Sequence, residues 1–172
     1  GREKVMGKLK FAIYWGAACG GCDVAVVDTH EKLLDIAAAA DILFWPVALD
    51  FKYRDVEEMT DKNIDVCLFS GAVRNSETEH IAHLLREKSK VMVAFGACAQ
   101  LGGIPGLANE KRRQEILDYV YHGSPSTVSQ KGVYPQETSS VPAGKLSLPT
   151  FYATVMALAQ VVAGDYYWPG AP

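Results

Sequence analysis

Between residues 8 and 15 the chain alternates apolar with polar or small side chains. Phe11, Ile13 and Trp15 fall on one face, and this period of two predicts a strand. The pattern stops at Gly16. From Asp23, a residue that can cap a helix, Val24, Val27, Leu33, Leu34 and Ile36 approximate a helical stripe as far as about Ala40. A second strand is predicted over 42–48, where Pro46 favours an edge position. A short helix near 55–59 and a third strand over 65–69 follow, the latter broken by Ser70-Gly71. Ser76 and Glu79 have the spacing of a capping box ahead of a helix carrying Ile81, Leu84 and Leu85. Residues 90–95 read as a fourth strand, apolar almost throughout, as in strands buried on both faces. Asn109 can cap another helix to about Tyr121, with Gly123 at its end. Residues 124–149 are rich in Ser, Pro, Thr and Gly without a period. About 25 structureless residues are unusual in a compact domain and point to a functional or partner-docking loop. A final helix is predicted over 150–163 and a fifth strand over 165–168, ending in Pro169-Gly170-Ala171-Pro172.

Strands alternating with helices imply crossover connections, a mainly parallel sheet and a three-layer α/β sandwich. Ligands of such sheets bind outside the carboxyl ends of the strands. The Cys19-Gly20-Gly21-Cys22 turn, the Ser70-Gly71 break, the loop around Cys98 and the Pro169-Gly170-Ala171 stretch all fall at such ends.

Composition narrows the picture. With 172 residues, the sequence is expected to form a single domain over 1–172. It is 49% hydrophobic and 22% charged, a globular balance. A net charge of −3 argues against a nucleic-acid footprint. No apolar run reaches about 18 residues, so no membrane span is expected. Four cysteines are too few for a disulfide scaffold. No secretory signal pattern opens the sequence, so a reducing, cytoplasmic setting is expected.

In that setting the cysteines carry the chemistry. Cys19 and Cys22 can chelate a metal, ligate a corner of a cluster or cycle as a dithiol. Cys98, in Gly96-Ala97-Cys98-Ala99-Gln100-Leu101-Gly102-Gly103, adds a third thiol at another strand end and favours a metal or cluster. A closed zinc site usually takes four ligands in two chelating pairs. One pair and one singleton suit an iron–sulfur cluster better, and the glycines let backbone amides approach its sulfurs. Cys67, mid-strand, reads as a small buried hydrophobe, His80 and His83 as solvated, and Lys111-Arg112-Arg113 as an exposed helix face. Two other readings stand beside the cluster: a cluster-free scaffold that docks a partner through residues 124–149, and a thiol–disulfide enzyme using Cys19 and Cys22.

Several separated stretches carry a resemblance. Tyr14-Trp15-Gly16-Ala17-Ala18-Cys19-Gly20-Gly21-Cys22 and Asp28-Thr29-His30-Glu31-Lys32-Leu33-Leu34-Asp35 resemble the start of the small subunit of [NiFe] hydrogenases. The similarity is greatest to the methyl-viologen-reducing group that works with heterodisulfide reductase. Gly71-Ala72-Val73-Arg74-Asn75, the stretch from Gly96 to Asn109 and Asp165-Tyr166-Tyr167-Trp168-Pro169-Gly170 resemble later motifs of that group. A more distant relative is the 20-kilodalton cluster subunit of NADH:quinone oxidoreductase, which has adjacent cysteines where this chain has Cys19-x-x-Cys22.

The resemblance implies a flavodoxin-like domain holding a [4Fe-4S] cluster beside a large-subunit redox centre. The chain would relay electrons to a downstream carrier such as a heterodisulfide reductase complex. Carried over, Cys19, Cys22 and Cys98 match three of the four cluster ligands. The fourth falls in a Pro-Gly-Cys-Pro motif, read here as Pro169-Gly170-Ala171-Pro172, so Ala171 stands where the fourth thiol is expected. Ser70 stands where a glutamate is common, and the family's C-terminal multi-cluster domain is absent from this sequence. The expected site is therefore incompletely ligated by protein. It holds a [4Fe-4S] cluster completed from elsewhere or a [3Fe-4S] cluster, with Ser70, Asp23 and Asp28 as the nearby oxygen candidates.

Overall fold

The computed structural model describes residues 7–129 and 131–169, so Ala171 lies outside the described residues. In chain order the first half contains β1 (Leu9–Trp15), α1 (Gly21–Val27), α2 (Lys32–Ala39), β2 (Ala40–Phe44), α3 (Tyr53–Glu57), β3 (Ile64–Ser70), β4 (Val73–Asn75) and α4 (Ser76–Lys88). The second half contains β5 (Ser89–Phe95), α5 (Ala97–Leu101), α6 (Gly103–Gly106), α7 (Arg113–Asp118), β6 (Thr138–Val141), β7 (Gly144–Ser147), β8 (Phe151–Met156) and β9 (Tyr166–Trp168). Five of these strands form one parallel sheet in the order β2-β1-β3-β5-β9. With its flanking helices this is the expected α/β fold. The first crossover runs to one side of β1 and the next to the other, so a topological switch point opens between β1 and β3 at the carboxyl ends.

The apolar rows that predicted the strands build the core. Ala12 pairs with Cys67 and Cys67 with Met92, while Tyr14 pairs with Phe69 and Phe69 with Ala94. These neighbours and Phe44 are buried. Ile81, Ala82 and Leu85, one face of α4, join the same cluster. Each large side chain so buried stabilises the fold by roughly 1.5–3 kcal/mol relative to exposure. β2 is an edge strand, as Pro46 suggests, and it ends at Phe44, just before the Trp45-Pro46 turn.

Several expectations are corrected. The helix expected from Asp23 to about Ala40 is two helices, interrupted by a turn in which His30 has a φ of 52°. Asp23 does not cap: Gly20 occupies that position and Asp23 is buried inside the first turn. At α4 the cap is Asn75, whose side chain accepts from the Thr78 amide at 2.8 Å, while Ser76 Oγ accepts from the Thr150 amide.

The helix expected over 150–163 is instead β8 followed by a single 3-10 turn, Leu158–Gln160. Long-range partners override the helical pattern here. β8 pairs antiparallel with β4, and the Asn109 carboxamide takes both backbone groups of Val155, accepting at 2.8 Å and donating at 2.9 Å. Asn109 thus clamps a strand rather than capping a helix, and the helix expected from it shrinks to α7 and a wide turn, Tyr119–Gly123. The stretch 124–149 contains an exposed hairpin of β6 and β7.

Candidate functional site

The carboxyl end of β1 runs directly into the first thiol-bearing turn. Gly16 N–H donates to the Ser70 carbonyl at 2.7 Å, and Ala17 and Ala72 form a reciprocal bridge, so this turn is tied to the end of β3. The Trp15 indole lies over Gly20 and donates from Nε1 to the Ala18 carbonyl at 3.2 Å. Cys19 is exposed, and its sulfur accepts from the Gly21 amide at 3.4 Å. Cys22 is half-buried in α1.

The second turn leaves β5 at Gly96 and carries Cys98, half-buried, in α5. Gly96 has φ 93° and ψ 161°, a conformation essentially restricted to glycine. A Cβ on Gly96 would stand 2.3 Å from the Cys22 sulfur. A Cβ on Gly103, where the turn folds back, would stand 2.7 Å from the Cys98 sulfur and 2.8 Å from the Cys98 backbone nitrogen. The sequence therefore removes side chains at the two places where they would press on the thiols.

The structure brings Cys22 against the root of the Cys98 turn. Cys19 shares a depression of about 370 Å³ with Trp15, Ala18, Arg74, Ile104 and Pro105. Among the described residues, no three His, Cys, Asp or Glu side chains converge closely enough to share one metal ion. A single tetrahedral ion needs its thiolates at about 2.3 Å from one centre. A cluster distributes them over several irons, and a soft thiolate set flanked by glycines and an N–H···S donor fits such a group.

The oxygen candidates are differently placed. Asp23 is 2% exposed, and its carboxylate accepts from Trp45 Nε1 at 3.0 Å and from Ser70 Oγ at 2.9 Å. Asp23 and Ser70 thus engage each other. Asp28 lies exposed at the end of α1. Cys67 is fully buried on β3, and burial pushes its thiol up to about 12, which makes it an inert core side chain. His80 and His83 are exposed, near Glu57 and Glu79. Sequence reasoning missed Trp45 and Arg74. Trp45 carried no signal, because the strand was expected to run through it to residue 48, whereas β2 ends at Phe44.

Around the second turn the surface is apolar: Leu101, Ile104, Leu107 and Trp168 are 75%, 64%, 63% and 60% exposed. Among the described residues no helix is long and apolar enough to cross a membrane.

Residues 19–172 match the family described as NADH ubiquinone oxidoreductase, 20 Kd subunit. The chain is 46% identical over 165 residues to the iron-sulfur subunit of the F420-non-reducing hydrogenase of Archaeoglobus profundus, covering 95% of this chain and 51% of that protein. It is 36% identical over 165 residues to the corresponding F420-non-reducing hydrogenase subunit of Methanothermobacter marburgensis, covering 96% and 49%. It therefore spans about half the length of these curated relatives. A chain in the crystal structure of an NAD+-reducing [NiFe]-hydrogenase in the H2-reduced state superposes with a TM-score of 0.79 at 28% identity, covering 96% of this chain and 84% of that one.

Proposed function

The chain belongs to the NADH ubiquinone oxidoreductase 20 Kd subunit family, and from that premise we propose that it relays electrons through one iron–sulfur cluster held by Cys19, Cys22 and Cys98. The observation that carries this reading is the side-chain-free contact between Gly96, at the root of the Cys98 turn, and the Cys22 sulfur. When bound, the cluster supplies reversible one-electron storage at a potential set by its surroundings. The protein's own groups do the rest. Gly21 N–H donates to the Cys19 sulfur, and the Trp15 ring covers the turn on the Gly20 side.

The cluster is [4Fe-4S] with its fourth position completed from beyond these three thiols, since Ala171 replaces the family's fourth cysteine. Asp23 and Ser70 already hydrogen-bond each other. The apolar rim of Leu101, Ile104, Leu107 and Trp168 supports docking of a hydrogenase-like large subunit, with a heterodisulfide reductase complex as the downstream carrier and the cytoplasm as the setting.

Anaerobic reconstitution followed by iron and sulfide analysis and EPR tests the reading. The chain takes up iron and sulfide in near-equal amounts and gives a cluster signal, and Cys19→Ala, Cys22→Ala and Cys98→Ala each lose most of it. A folded chain that binds no iron under these conditions overturns the proposal.

A further inference from the structure

The most unusual polar group near the thiols is Asp23, a carboxylate 2% exposed and one residue after Cys22. Buried carboxylates are costly unless hydrogen bonds hold them. Both donors here come from neighbouring strands. Trp45 follows the last residue of β2, and Ser70 is the last residue of β3. In the sheet these two strands flank β1, whose continuation carries Cys19 and Cys22. The carboxylate therefore spans the end of β1 and ties the first turn of α1 to the strands on either side. Gly20 caps α1 with no side-chain hydrogen bond, and the helix buries only Asp23 among its residues. Asp23 is thus the buried side-chain anchor of a seven-residue helix that bears Cys22.

We propose that Asp23 is the positioning residue of the cysteine site: gripped by Trp45 and Ser70, it fixes the first turn of α1 and so aims the Cys22 sulfur at the Gly96 gap. The inference rests on the cluster reading for why that aim matters, but the anchoring itself is a property of the metal-free chain. A bidentate acceptor between two fixed donors restrains both position and rotation. The two donors differ in one respect. Trp45 Nε1 can only donate, whereas the Ser70 hydroxyl can donate or accept. An asparagine at position 23 can therefore keep both contacts, its carbonyl accepting from Trp45 and its amide donating to Ser70. An alanine keeps neither.

The experiment measures site-resolved alkylation of Cys22 and Cys98 by iodoacetamide in the metal-free chain, read by mass spectrometry. A net hydrogen bond to a charged group is equivalent to about ten- to a hundredfold in an equilibrium. Asp23→Ala is expected to speed Cys22 alkylation by about tenfold or more and to leave Cys98 within about twofold. Trp45→Phe and Ser70→Ala, each removing one donor, give intermediate rates, and Asp23→Asn stays near the parent rate. After anaerobic reconstitution, Asp23→Asn keeps the parent iron content and EPR line shape, whereas Asp23→Ala alters both.

An unchanged Cys22 rate in a folded Asp23→Ala chain overturns the proposal. So does an Asp23→Asn chain that behaves like Asp23→Ala, which would assign the effect to charge rather than to the two hydrogen bonds. If Asp23→Ala does not fold, Trp45→Phe decides the matter: its Cys22 rate rises or the proposal fails. Because the alkylation arm uses no iron, failure of the cluster reading leaves it interpretable.

Discussion

The two thiol-bearing turns are held by different means. The first, after β1, is joined to β3 by backbone bonds only at its root, Gly16 and Ala17, and from there to α1 is fixed by side chains: the Trp15 ring over Gly20, and the Asp23 carboxylate between Trp45 and Ser70. The second, after β5, is fixed by its backbone. Gly96 N–H donates to the Trp168 carbonyl at 2.8 Å, Gln100 N–H to Gly96, Gly102 N–H to Cys98 and Gly106 N–H to Gly102. Side chains are excluded from it at Gly96 and Gly103. A backbone-held turn tolerates change in its side chains but not the addition of one at its folding points. A side-chain-held turn yields to loss of its polar contacts. That division decides which substitutions matter on each side of the site.

The largest effect belongs to Gly96→Ala, because it strikes both turns at once. It forces an L residue into a conformation that costs about 1–3 kcal/mol, and it sets a methyl 2.3 Å from the Cys22 sulfur. Iron uptake on reconstitution should fall to a small fraction of the parent. Tm should fall by about 2–10 °C. Parent-like iron content in this variant would mean that Cys22 does not face the Cys98 turn.

A matched pair isolates the second turn. Gly103→Ala sets a methyl against the Cys98 backbone at 2.8 Å, and a backbone atom cannot step aside as a side-chain tip can. Gly106→Ala, three residues on, meets nothing within 4 Å and has a helical φ of −63°. The first should lower iron uptake several-fold. The second should leave it unchanged and alter stability by under about 1 kcal/mol. Equal behaviour of the two variants, judged by iron content and thermal melting, would remove the backbone account of this turn.

The contrast also explains what could be read from sequence. The parallel strands were legible because their neighbours on both sides are apolar and buried: the Val-Met-Val-Ala-Phe run of β5 fits one environment, the middle of a covered sheet. The glycines of both turns and the strand-end address of the cysteines were legible for the same local reason. Asp23, Trp45 and Ser70 come from three elements, and their contact depends on the order of the strands, so a local reading took Asp23 for a helix cap. β8 failed to register as a strand because its pairing partner, β4, lies more than seventy residues earlier and is three residues long. Alanines in 150–163 then weighed toward helix, while the Asn109 clamp on Val155 carried no sequence signal.

The smallest effect concerns the strand that supports the second turn. β9 is an edge strand whose Trp168 carbonyl receives the Gly96 amide, and its entrance is clasped by Asp165. Asp165 Oδ2 accepts from Arg86 at 2.5 Å and from the Met92 amide at 2.7 Å. Arg86 first, and the Met92 amide second, hold the Asp165 carboxyl below its usual range. A carboxyl lowered in the folded chain contributes stability above its unfolded pKa and loses it as pH falls through the lowered folded value. Its side chain is 43% exposed, so solvent screening keeps the contribution near that of a surface pair, about 0.2–1 kcal/mol. Asp165→Asn should therefore lower Tm by about 1–4 °C at neutral pH, and the difference from the parent should shrink toward zero as the pH drops below the ordinary aspartate range. Thermal melts across that window separate the clasp from the glycines: its loss leaves iron uptake intact, because the Gly96–Trp168 hydrogen bond is made by backbone atoms at the other end of the strand.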